Sequence, residues 1–239
     1  EFPVGVLGAA LGTVILPRLA RQGSSWSADG TSQEAFSRTL DWALRWLWLL
    51  GLPAAVGLVV LAEPLVVTLF LSSEFSTLDA HMSALSLGAY AAGLPGFIAI
   101  KVLAPGYFAR QDARTPALYA LTALGCNLVL SLAWMKMLGH AGLALATSLS
   151  AFVNAGLLLK GLINSQVYLP ARGWGSLIAR GLVAVLVLGV LLAWGTIGIE
   201  GWLALTGPER LGRLLCWLLL GSAVYFLALL ALGARPRDF

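Results

Sequence analysis

The stretch that decides the fold is Lys101–Pro116, KVLAPGYFARQDARTP, where a cluster of charges stands between two long apolar runs. Pro105 lacks an N–H and crowds the turn before it, while Gly106 has no side chain to bar a sharp exit, so the preceding helix is expected to break there. Arg110, Asp112 and Arg114 follow, and Thr115-Pro116 reads as a helix start, a capping hydroxyl before a proline at the first helical position. With Tyr107, these residues make a short polar hinge between two membrane spans. A solvated connection obeying the positive-inside bias would carry the same charges.

Outward from the hinge the chain is membrane. It is 59% hydrophobic and 11% charged, with a mean hydropathy of +0.87, outside the range of soluble domains. About 20 apolar residues cross about 30 Å of hydrocarbon, and seven candidate spans lie at roughly 3–19, 42–62, 83–105, 116–138, 141–163, 177–199 and 211–233. These runs are apolar on every face, which fits helices and not alternating barrel strands. The expectation is an all-α integral membrane protein of about seven transmembrane helices. Its opening, Glu1-Phe2-Pro3, has neither a start Met nor a basic leader, so the chain is expected to begin inside a longer protein. Cys126 and Cys216 lie within spans and match no metal or redox spacing.

Of the 15 Lys and Arg residues, Lys136, Arg210 and Arg213 fall on one side of the spans and all others on the opposite side. That asymmetry predicts a multi-pass protein with a cytoplasmic C-terminus and an outside start. The net charge of +4 then reflects topology. Nucleic-acid binding is not implied, because the cations are spread over several loops.

Gly5, Gly8 and Gly12 thin one face of the first span, and Gln22–Thr39 reads as a polar cytoplasmic loop with an amphipathic entry at Phe36–Arg45. Pro53 between Gly51 and Gly57 predicts a bent second span, closed by Glu63-Pro64. His81, in an outer loop at 72–81, stands alone and suggests no metal site. Leu94-Pro95-Gly96 is a candidate flex point, and Lys101 either snorkels to headgroups or meets an entering phosphate. Asn127 and Ser131 share a helix face, with Thr147, Ser148, Ser150 and Asn154 beyond a tight connection at Gly139-His140. Hydrogen bonding between helices would explain these polar groups as well as a ligand site would. A polar and aromatic link, Asn164–Gly175, sets apart the last two spans.

GYFARQDARTP resembles the cytoplasmic hinge of the MurJ/MviN lipid II flippase family, within the multidrug/oligosaccharidyl-lipid/polysaccharide (MOP) exporter superfamily. EFPVGVLGAALGTVILPRLAR is similar to that family's eighth span, and HAGLALATSLSAFVNAGLLL to its twelfth. The likeness implies a C-terminal lobe of a MATE-like flippase over residues 1–165, its first helix missing. Residues 166–239 would be two added helices forming a lateral groove for a polyprenyl tail. It implies that Glu1, Arg18 and Lys101 lie on the substrate pathway and that Asn127, Ser131 and Thr147 form a candidate cation site. Ser131 stands where an acidic ligand is expected, which puts sodium in question. No cofactor is implied beyond sodium or proton coupling.

The function this implies is transport: flipping an undecaprenyl-pyrophosphate-linked peptidoglycan precursor across the bacterial inner membrane, by alternating access against an N-terminal lobe in the same chain or a separate one. Membrane lipids are the other expected partners. Other superfamily branches, exporting O-antigen-type glycans or drugs, are the close alternative, and a non-transporting seven-helix protein a remote one. An enzyme is not expected, since no HExxH, intramembrane carboxylate pair or Ser/Cys–His arrangement is present.

Overall fold

Thr31 begins the first complete helix of the computed structural model, which describes residues 17, 19, 31–72, 75–196 and 199–233. Glu1, Arg18, nearly all of the expected first span and the tail at 234–239 lie outside the described residues. Helix α1 (Thr31–Trp46) turns Phe36, Leu40, Ala43 and Leu44 inward, one stripe at helical spacing, and leaves Glu34 and Arg38 exposed. The loop reading of 22–39 is therefore corrected from Thr31 onward. The amphipathic stripe begins earlier than composition suggests.

α1 continues without a loop through a five-residue π-helical stretch, Leu47–Gly51, into α2 (Leu52–Val60). The bend expected at Pro53 thus takes the form of a widened turn just before the proline, a common cause of kinks. The span ends at Val60, just ahead of Glu63-Pro64. After a break at Leu61, α3 (Ala62–Phe70) carries Pro64 in its first turn, where a missing N–H costs nothing.

Ser76 and Asp79 cap α4 (Thr77–Ala92) reciprocally, so His81 belongs to a helix and not to the outer loop. The break before α5 (Leu94–Phe108) falls at Gly93, where a Cβ would lie 2.5 Å from Ser148 Oγ and 2.6 Å from Ser148 Cα. Ser148 also donates its hydroxyl to Ala89 O at 2.7 Å and to Tyr90 O at 3.2 Å, in the last turn before the break. A hydroxyl from α6 (Arg114–Asn164) thus bridges the break beside Leu94-Pro95-Gly96.

Pro105 and Gly106 lie inside α5 and are buried, contrary to the expected break. Gly106 admits Leu162 and Leu40 to its face, so its small size serves packing. The chain turns at 109–113 instead, with Gln111 in the left-handed region at φ 61°. α6 (Arg114–Asn164) is folded back at Gly139, where φ 54° and ψ −129° suit glycine, and so supplies two crossings. The link at 165–173 leads to α7 (Trp174–Gly195), the short α8 (Ile199–Leu203) and α9 (Gly207–Ala231).

All regular elements among the described residues are helical, and five segments are long and apolar enough to span a bilayer, one of them the doubled α6. Three apolar clusters hold them together. The first joins α1 to α5, the second half of α6 and the link, through Phe36, Leu40, Ile98, Leu103, Leu158 and Tyr168. The second packs α7 and α9 on the π-helical stretch through Leu49, Leu188 and Tyr225, and the third seats Trp202 among α3, α4 and α9. In a bilayer such packing rests on close fit, not on exclusion of water. Gly195 accordingly lies against the Trp217 ring.

Candidate functional site

Asp112 organises the turn between α5 and α6. Its Oδ1 accepts the Thr115 N–H at 3.0 Å, three residues on, so Asp112 caps the start of α6 in place of the hydroxyl expected at Thr115. That backbone bond, with the Thr115 hydroxyl and nearby Arg110, holds the Asp112 carboxyl below its ordinary pKa. Pro116 is buried in the first turn, while Arg110 and Arg114 are exposed. Tyr107, 2% exposed, donates its hydroxyl to Leu158 O at 2.7 Å and meets the Tyr119 ring edge-on at 6.4 Å. The end of α5 is therefore tied to both halves of α6. Lys101 is exposed on α5, two turns before the helix ends.

The polar residues of α6 bond mostly within their own halves. Ser131 donates to Asn127 Oδ1 at 3.3 Å, and Thr147 to Leu143 O at 2.9 Å. Ser148 reaches across to α4, as described, and Ser150 bonds back to Thr147 O at 2.8 Å. Among the described residues no cluster of three His, Cys, Asp or Glu side chains is assembled. His81 is not alone, since its Nδ1 lies 3.0 Å from Glu63 Oε1 on α3.

A buried carboxylate that the sequence reading passed over joins the link to α1. Asp41, 5% exposed, accepts from Trp174 Nε1 at 2.7 Å, Tyr168 Oη at 2.8 Å and Ala171 N at 3.1 Å. Arg45, one turn on, donates to the other carboxylate oxygen at 2.7 Å and to Arg172 O at 3.1 Å. Ser37 adds a second strap, exchanging hydrogen bonds with both the N–H and the carbonyl of Leu169. Burial, and then the Asp41 carboxylate, push the Tyr168 hydroxyl far above its ordinary pKa, so it stays a donor. The available signal was a charged pair at i, i+4 entering an apolar span, which has to find partners at that depth.

Two apolar grooves flank this framework. One, of about 320 Å³, lies between α2 and the α7/α9 pair and is lined by Pro53, Gly57, Leu188, Trp217 and Tyr225 among others. The other, of about 430 Å³, runs between α1, α5, the second half of α6 and the start of α7.

Comparison with known proteins agrees along the chain. Residues 1–211 match the family model described as lipid II flippase MurJ. A Vibrio cholerae protein named probable lipid II flippase MurJ is 41% identical over 100% of this chain and 44% of its own length. A Burkholderia cenocepacia protein named lipid II flippase MurJ is 37% identical over 100% of this chain and 46% of its own. The chain thus spans less than half the length of these relatives. A solved structure titled lipid II flippase MurJ, inward closed conformation, superposes with a TM-score of 0.72 at 21% identity, covering 95% of this chain and 43% of that one, and supports the fold. With the family match running from residue 1 through α8 and into α9, the chain belongs to the lipid II flippase MurJ family.

Proposed function

We propose that this chain is the C-terminal half of a lipid II flippase, carrying an undecaprenyl-pyrophosphate-linked peptidoglycan precursor from the inner to the outer leaflet of the bacterial inner membrane. The observation that carries the reading is the family match over residues 1–211. Exporters of O-antigen-type glycans or drugs are not favoured, because the relatives quoted bear the flippase name.

Alternating access needs two walls around a cavity, and the relatives are more than twice as long as the portion matched here. Residues 1–165 would form one wall and an N-terminal lobe, in the same chain or a separate one, the other. Glu1, Arg18 and Lys101 would act on the headgroup path, because an unpaired charge at mid-depth costs at least about 2.5 to 3.5 kcal/mol and a pyrophosphate needs cations beside it. The groove between α2 and the added pair would take the polyprenyl tail. Sodium or proton coupling would run through Asn127, Ser131 and Thr147, and the Asp112 hinge would keep spans in register while the lobes rock.

The test is translocation of lipid-linked precursor in liposomes. This chain alone should give none, co-expression with an N-terminal half should give flipping, and Glu1→Ala in that pair should reduce it. Flipping by this chain alone would defeat the two-lobe reading. The basic asymmetry supports a cytoplasmic position for the C-terminus and for residues 22–39 and 107–115. Cysteines at Ser27 and Ala113 should then resist an impermeant reagent added outside intact cells.

A further inference from the structure

The groove between α1, α5, α6 and α7 is separate from the tail groove just assigned, and its shape is that of one leaflet. On α6 its lining runs from Phe152 to Ile163, which at about 1.5 Å per residue is roughly 16 Å, about half the hydrocarbon thickness. One end lies beside the Gly93 break, where Pro95 and Gly96 line it, and the other is closed by Tyr168, Pro170 and Trp174. The side is open: Gly156 is exposed and Phe152 is 44% exposed.

The closed end is fixed by charge. Asp41 takes the Tyr168 hydroxyl and the Trp174 N–H, so both residues present apolar faces to the groove. Arg45 lies over the Trp174 ring at 5.7 Å and, through Arg172 O, holds the backbone beside the rim. Two exposed cations border that end: Lys160, one turn beyond Gly156, and Arg172, between the groove residues Pro170 and Trp174. An apolar slot one leaflet long with cations at its interfacial end is complementary to a single chain carrying an anionic head.

We propose that this groove holds one acyl chain of an anionic bilayer phospholipid from the leaflet on the basic-rich side, its phosphate held by Lys160 and Arg172. The bound lipid fills the space between the lobe and the base of the added pair. Asp41 is a positioning residue that keeps the groove's end in shape.

The experiment uses the protein in its full-length expressed form, purified into phosphatidylcholine nanodiscs, with phosphatidylglycerol bearing a mid-chain diazirine as the probe. Photolysis should label the peptide Phe152–Ile163. A Cβ at Gly156 meets nothing within 4 Å, so Gly156→Phe should plug the groove without disturbing the packing and abolish that label. Gly156→Leu is the milder second variant. Gly125, equally unobstructed but on the first half of α6, gives the control Gly125→Phe, which should leave the label intact. A cation near an anionic lipid surface is worth about 1 kcal/mol, or about fivefold in binding. Lys160→Gln and Arg172→Gln should therefore each cut the preference for phosphatidylglycerol over a phosphatidylcholine probe by about that factor. Undiminished labelling in folded Gly156→Phe and Gly156→Leu would overturn the site, and equal labelling by the two probes would overturn the anionic head. Displacement of the label by undecaprenyl phosphate but not by phosphatidylglycerol would assign the groove to the substrate lipid and overturn the proposed occupant.

Discussion

The Tyr225 hydroxyl on α9 donates to the carbonyl of Leu49 at 2.7 Å. That carbonyl stands four residues before Pro53, where an α-helix would have supplied an N–H and proline has none. Tyr225 is 2% exposed, so water does not fill the gap. A side chain of α9 thus completes the backbone of the span formed by α1 and α2 at its π-helical stretch. Tyr225→Phe removes the bond with little change of shape and should cost about 1 kcal/mol, within the range for hydrogen bonds between membrane helices. Thermal unfolding in detergent measures it, and an unchanged midpoint would mean that the π-helical stretch satisfies Leu49 by itself.

Asp41 should be among the most sensitive positions in the chain. Asp41→Ala leaves the half-buried Arg45 without its carboxylate and strips Tyr168, Trp174 and Ala171 of their acceptor, a change expected to cost about 3 kcal/mol. Tyr168→Phe removes one donor and should cost about 1 kcal/mol. Limited proteolysis of the 165–173 link should accelerate in the same order. Joint replacement of Asp41 and Arg45 by leucines should recover part of the loss, because it removes the uncompensated charge.

Gly93→Ala should destabilise by about 1 to 3 kcal/mol, since the new methyl group meets the Ser148 backbone, which cannot swing aside as a flexible side-chain end could. Gly57→Ala is the matched comparison, because a Cβ there meets nothing within 4 Å and the helix gains a better former. Thermal midpoints of the two variants should move in opposite directions.

Asp112→Ala should impair precursor translocation while leaving expression near wild type, since the residue is at the surface and caps a helix start. The sign of its pH dependence follows from its lowered pKa. The cap's contribution is complete above the ordinary carboxylate range and is lost as pH falls through the lowered value. Hydrogen exchange at the Thr115 amide, corrected for intrinsic rate, should therefore stay slow at neutral pH and quicken only in acid. Asp112→Asn should flatten that profile. A fully active Asp112→Ala protein would reduce the loop to a solvated connection.

What was legible in the sequence was whatever one helix settles alone. Apolar runs of bilayer length located the spans from 31 onward, because hydrocarbon leaves a backbone no option but internal hydrogen bonding. Gly139 marked the reversal of α6, because a left-handed angle at a tight turn is a local demand. Tertiary structure decided what depended on a distant partner. Pro105-Gly106 reads as a helix breaker, yet the helix runs through it because Leu162 and Leu40 pack onto the glycine. Ser148 reads as one polar residue among several, and its role is set by carbonyls some sixty positions away in sequence. Asp41 reads as one polar residue of the amphipathic entry at Phe36–Arg45. Its meaning lies in Tyr168, Ala171 and Trp174, brought to it by the return of α6, and a buried charge is defined by the donors the fold gathers around it.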